Sequence, residues 1–188
     1  MKKNIKDFLW NITHPSIIYK IKDKFYEFKW KCQRFKRGYA DVDVWNINDW
    51  FARMIPNMLK EMEKDRMGHP QNLTDRQWTK VITKMANLFE QWDDDKCIKK
   101  NKYEEELDKA YDEFHKNYPN IDVLKTEEEL ADEKENNVYY YKGLRDTPEY
   151  KALWDKWYKE QNKIDKYQEK CVKEALTLFS KYFFDLWD

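Results

Sequence analysis

At 188 residues the chain is long enough to bury a core, and 36 Lys and Arg balance 36 Asp and Glu, so no global field selects a nucleic acid or a membrane surface. Charged residues make up 38% and aromatic residues 17%, with three glycines and five prolines, a composition that favours helices with sharply segregated faces. No apolar run reaches the roughly 18 residues of a membrane span, and Lys6 and Asp7 interrupt what a secretory leader would keep apolar.

The first helical pattern is Ile5, Phe8, Leu9 and Ile12, ended by His14-Pro15. Ser16 is then placed to cap a second helix reaching about Lys36. Its apolar positions Ile18, Ile21, Phe25, Phe28, Cys32 and Phe35 step by three and four in alternation, an a/d seam suited to coiled-coil-like packing. Residues 1–38 hold eleven Lys or Arg against three acids, whereas residues 119–137 hold seven acids against two lysines. These opposite local charges predict mutual attraction, within the fold or between subunits.

Gly38 suits the left-handed position that closes a helix. Tyr39 to Trp45 reads as a turn plus one helical turn, and Asn46 as the cap of a third helix. There Ile47, Trp50, Phe51, Met54, Ile55, Met58, Leu59 and Met62 fall on one face, with Pro56 inside and expected to kink it. Gly68 and Pro70 end that helix. Thr74 and Gln77 form a capping box opening the next, lined by Trp78, Val81, Ile82, Met85, Leu88, Phe89 and Trp92. Two such helices across a short turn predict an antiparallel hairpin.

Asp93, Asp94 and Asp95 mark a helix boundary. Tyr103, Leu107, Ala110, Tyr111, Phe114 and Tyr118 mark another helix, stopped by Pro119. Residues 120–146 are acidic and poor in core residues, with Thr126 and Glu129 able to cap a short helix. Thr147 and Pro148 open a last helix with no breaker in its remaining length, on the order of 60 Å if continuous. A helix of that length must bend, project, or pack against a second copy, and the last is preferred. The expectation is an all-α helical bundle with a central antiparallel hairpin and a long C-terminal helix. It forms one domain over 1–188: basic N-terminal helices to 38, the hairpin core over 39–118, an acidic peripheral segment over 119–146, and the long helix over 147–188.

The sequence holds no catalytic motif. His14, His69 and His115 lie in separate segments without metalloprotease, deaminase or nucleophile-elbow spacing, and three glycines cannot build a phosphate loop. The expectation is a non-enzyme with no cofactor. Cys32, Cys97 and Cys171 form no paired motif, which points to a reducing cytoplasm. Asp41, Asp43 and Asp49 have a spacing that suits a hard cation, but complementing two helix N-termini explains them without one. The lysines of the second helix surround it and its aromatics sit on the seam, so nucleic-acid binding is the weaker reading. Trp45 lies outside the helical faces, among Arg37, Tyr39, Asp43, Asn46 and Asn48. Rings beside a guanidinium and carboxamides can hold a planar ligand or a peptide, so these six residues are the candidate binding set, although a purely structural cluster at the start of the helix is the preferred reading of them.

The segment Arg37-Gly38-Tyr39-x-Asp41-x-Asp43-x-Trp45-Asn46-Ile47, followed by Trp50, Ala52, Ile55 and Leu59, resembles a recurrent motif of small phage-encoded accessory proteins. Gly68-x-Pro70 through Leu73-Thr74 to Trp78 resembles their following turn, and the likeness spans about residues 20–92. Trp50 and the place of Pro56 depart from that pattern. The resemblance implies phage origin and action in the cytoplasm of a bacterial host, and it brings no established activity. The expected role is a homo-oligomeric binding protein that antagonises host defence, by sequestering a nucleotide-derived signalling molecule or by masking a host protein. The alternative is a structural or assembly protein of the phage.

Overall fold

The computed structural model describes residues 15–187, and the expected helix around Ile5–Ile12 lies outside them. Its helices are α1 Pro15–Arg37, α2 Asp41–Trp45, α3 Ile47–Asp65, α4 Asp75–Glu90, α5 Glu104–Asn117, α6 Glu127–Asn136 and α7 Pro148–Lys181, with three short 3₁₀ turns and no strand among the described residues. The protein is all-α. No helix among the described residues is long and apolar enough to cross a membrane. The chain divides into two compact units, Met1–Met54 and Ile55–Asp188, with the boundary inside α3.

In the first unit α1 closes as anticipated: Gly38 adopts φ +82° and donates its amide to the Arg34 carbonyl at 2.9 Å. The chain then reverses into the single turn of α2. Helix α3 runs unbroken through Pro56. Its buried residues are Ala52, Ile55, Pro56 and Leu59, spaced i, i+3, i+4 and i+7, while Ile47 and Met58 are exposed. The covered stripe is therefore turned by about a quarter of the circumference from the expected face, at 100° per residue. The seam of α1 also departs from expectation. Phe25, Phe28 and Phe35 are exposed, Phe35 almost wholly at 93%.

The second unit is organised on α7, whose 34 residues span about 51 Å at 1.5 Å per residue. Its N-terminal part packs antiparallel to α5. Trp157 Nε1 donates to Glu104 Oε2 at 2.7 Å, Asn117 Nδ2 donates to the Tyr150 hydroxyl at 3.1 Å, and Phe114 meets Tyr150 edge to face. Its C-terminal part runs antiparallel to α4, from Gln168 Nε2 on Asp94 Oδ1 (2.9 Å) through Lys84 on Glu174 (2.6 Å) to Trp78 against Tyr182. Trp78, Ile82, Met85 and Phe89 of α4 are buried on the expected face, together with Ala86, while Val81, Leu88 and Trp92 are half-buried. A helix of this length thus finds partners along its own chain, because α4 and α5 cover successive stretches of it.

The turn between α3 and α4 is held by Arg66, whose side chain is only 7% exposed. Its guanidinium donates to Glu63 Oε2 at 2.8 Å, Asp75 Oδ1 at 2.7 Å, Thr79 Oγ1 at 2.8 Å and the Gly68 carbonyl at 2.9 Å. With Lys60 on Glu90 at 2.6 Å farther along, the pair is antiparallel. Thr74 and Gln77 form the expected capping box. Thr147 and Pro148 take their expected places at the start of α7, but the Thr147 hydroxyl donates to the Gly143 carbonyl at 3.0 Å and does not cap the helix.

The segment assigned to the periphery contributes more than its composition suggested. Leu144 is buried with Leu107, Phe114 and Tyr150, and Lys125 is buried beneath the Tyr139 ring, paired with Asp122 at 2.8 Å and Glu133 at 2.7 Å. Burial there is tolerable because two carboxylates satisfy the ammonium. The acids of this segment are partly neutralised locally, Glu129 by Lys142 and Glu133 by Lys125.

Candidate functional site

The motif of the first unit is a set of local ion pairs made possible by the reversal at Gly38. Arg34 and Arg37, one turn apart at the end of α1, meet Asp41 and Asp43 on the returning chain. Asp43 is 8% exposed. It accepts from Arg34 Nε at 3.0 Å and Arg34 Nη2 at 2.6 Å, a two-point fork, and from the Ala40 amide at 2.7 Å. The Arg34 guanidinium, followed by the Ala40 amide, holds its carboxyl below the usual range. Ala40 is wholly buried, so Asp43 both neutralises a cation and satisfies the first free amide of α2.

Asp41 is exposed but equally engaged. Gln33 Nε2 donates to Asp41 Oδ2 at 2.6 Å while the Asp41 amide donates back to Gln33 Oε1 at 2.9 Å. Arg37 pairs with the other carboxylate oxygen and Lys29 lies 3.5 Å away. The Gln33 hydrogen bond, then Arg37, brings the Asp41 carboxyl down to about 2. Arg37 also donates to the Tyr39 carbonyl at 3.0 Å and lies 4.5 Å from the centre of the Tyr39 ring. Asp49 is paired with Arg53 at 3.1 Å. Among the described residues no group of three or more His, Cys, Asp or Glu is arranged to hold a metal ion.

The six candidate residues are not gathered around one cavity. Tyr39 and Asp43 line a depression of about 300 Å³ with Val44, Ile47 and Trp50. Asp43 and Asn46 line a second, of about 420 Å³, with Arg34, Val42, Asp49, Trp50, Arg53 and Met54. Arg37, Trp45 and Asn48 line neither. Trp45 is 88% exposed and the Arg37 guanidinium is occupied by Asp41 and Tyr39. The sequence reading missed Gln33 and Arg34 as the partners that fix the motif. The signal was available: Arg34, Arg37, Asp41 and Asp43 flank a helix-ending glycine, and a reversal there brings unlike charges together.

No protein-family model matches the sequence, and comparisons with curated proteins and with solved structures give no significant match.

Proposed function

We propose that the chain is a non-enzymatic binding protein of phage origin that masks a host protein involved in defence, using the apolar end of its first unit. One observation carries the choice of a protein over a nucleotide. The motif's cations are already committed to carboxylates, Arg34 to Asp43 and Arg37 to Asp41, and Arg53 near them to Asp49. A phosphate-bearing ligand would have to displace those pairs. The accessible residues carry no free charge: Tyr39, Val44 and Ile47 line the smaller depression, and Trp45, Asn46 and Asn48 are exposed. Exposed aromatic and branched residues next to a depression suit an inserted side chain of a protein partner. The phage setting rests on the motif resemblance.

The test is photo-crosslinking. With Trp45 replaced by a photoreactive phenylalanine analogue and the chain produced in infected cells, a covalent adduct to a host protein is expected, and Ile47→Asp should abolish it. Calorimetry against cyclic and ADP-ribose-derived nucleotides should show no heat of binding. Tight nucleotide binding would overturn the masking reading, and adducts confined to virion proteins would replace it with an assembly role.

A further inference from the structure

Helix α1 carries a second surface, separate from the motif and not dependent on the reading above. With Phe25 at position a, its heptads place Phe25 and Cys32 at a, and Phe28 and Phe35 at d. Phe25 is 66%, Phe28 67% and Phe35 93% exposed, while Cys32 is half-buried. The first unit folds back on the other side of the helix: Gln33 at b, Arg34 at c and Arg37 at f are the residues that hold Asp41 and Asp43. The seam is therefore left facing away from the only turn of chain that α2 lays against this helix among the described residues.

The residues beside the seam say what would cover it. Every e position from 22 onward is lysine (Lys22, Lys29, Lys36), and so is every g position (Lys24, Lys31). All five are exposed, and among the described residues only Lys29 is drawn toward a carboxylate, Asp41 at 3.5 Å. In a helix pair the e and g residues meet the partner's flanking residues and choose it by charge. A second copy of α1 would set lysine against lysine along both sides of the seam, in either orientation, so this pattern opposes self-pairing. The acidic helix α6 cannot serve either. Its apolar residues, Leu130 and Ala131, are adjacent and form no seam. The stripe is one residue wide per half-turn with a 3.5-residue period, narrower than the broad apolar face with which a helix lies in a lipid interface.

We infer that α1 is one strand of a heterotypic helix pair, and that its partner is an amphipathic helix of another protein with apolar a and d positions and Glu or Asp at e and g. The full chain is titrated by fluorescence anisotropy with two labelled peptides of about four heptads. Both have Leu and Ile on the seam; one has Glu at every e and g, the other Lys. The Glu peptide binds and the Lys peptide does not, and the affinity for the Glu peptide falls about tenfold or more as salt rises from about 50 to about 500 mM. Phe28→Asp with Phe35→Asp removes binding without changing the helical circular dichroism, since both rings are exposed. Lys24→Glu with Lys31→Glu shifts the preference toward the Lys peptide. Equal affinity for both peptides, or for neither, overturns the inference. So does binding to vesicles of phosphatidylglycerol without binding to the Glu peptide, or a sedimentation dimer that Phe28→Asp dissociates.

Discussion

Replacing Asp43 decides whether the motif's most buried acid holds structure or receives a ligand. In the structure its carboxylate accepts a guanidinium fork from Arg34 and the Ala40 amide, at 92% removal from solvent by its 8% residual exposure. A hydrogen bond to a charged group contributes about 1.5–3 kcal/mol, and a lost helix cap about 1 kcal/mol. Arg34 is half-exposed and regains water when freed, which argues for the lower part of the first range. Asp43→Ala is therefore expected to cost about 3 kcal/mol, and Asp43→Asn, which keeps one acceptor for Ala40, about 2 kcal/mol. Urea unfolding followed by tryptophan fluorescence, with amide exchange at Ala40 and Asp43, measures this. Arg34→Met should cost nearly as much as Asp43→Ala, and the double variant little more than either, because the two share one interaction. A loss below about 0.5 kcal/mol for Asp43→Ala, the range of ordinary surface changes, would refute the structural role.

In the second unit, Arg66→Met should destabilise by about 2–3 kcal/mol, since it removes the charged partner of Glu63 and the hydrogen bonds that tie the turn to Thr79 and Gly68. Asp75→Ala should cost no more than about 1 kcal/mol because Asp75 is 73% exposed. Chemical denaturation of both variants checks the contrast, and equal losses would mean that Arg66 contributes only a surface charge. Acid dependence gives a further test. Asp41 is held at about 2 in the folded chain, below the roughly 3.9 of an unfolded aspartate. Its contribution is thus complete above pH about 4 and is lost as the pH falls toward about 2, because the unfolded chain takes up the proton first. The stability gap between the wild type and Asp41→Asn, measured by denaturation across that range, should narrow as pH falls; a constant gap would contradict the pairing with Gln33 and Arg37.

How much was legible in the residues follows from how local each feature is. The all-α class, the end of α1 at Gly38, the Thr74–Gln77 box, the Thr126–Glu129 box and Pro148 at the start of α7 could all be read, because each depends on residues within one turn of itself. The buried stripe of α4 was also legible, its apolar residues all lying on one face. The candidate site was less so. Arg37, Tyr39, Asp43, Trp45, Asn46 and Asn48 are close in sequence, but whether a guanidinium or carboxylate is free depends on the partner it meets. Those partners, Gln33 and Arg34, lie on the far side of the reversal.

Amphipathic pattern alone determined that α1, α3 and α7 would be helices with an apolar face. Tertiary structure decided which of those faces is covered. For α7, α4 and α5 arrive in turn along its length and bury Tyr150, Ile164, Cys171 and Ala175. For α3, the covered stripe shifted to Ala52, Ile55, Pro56 and Leu59. For α1, the returning chain took the Gln33–Arg37 side by ion pairing and left the phenylalanines uncovered. Periodicity fixes where the side chains of one helix point; burial needs a second surface, and that surface is supplied by residues distant in the chain.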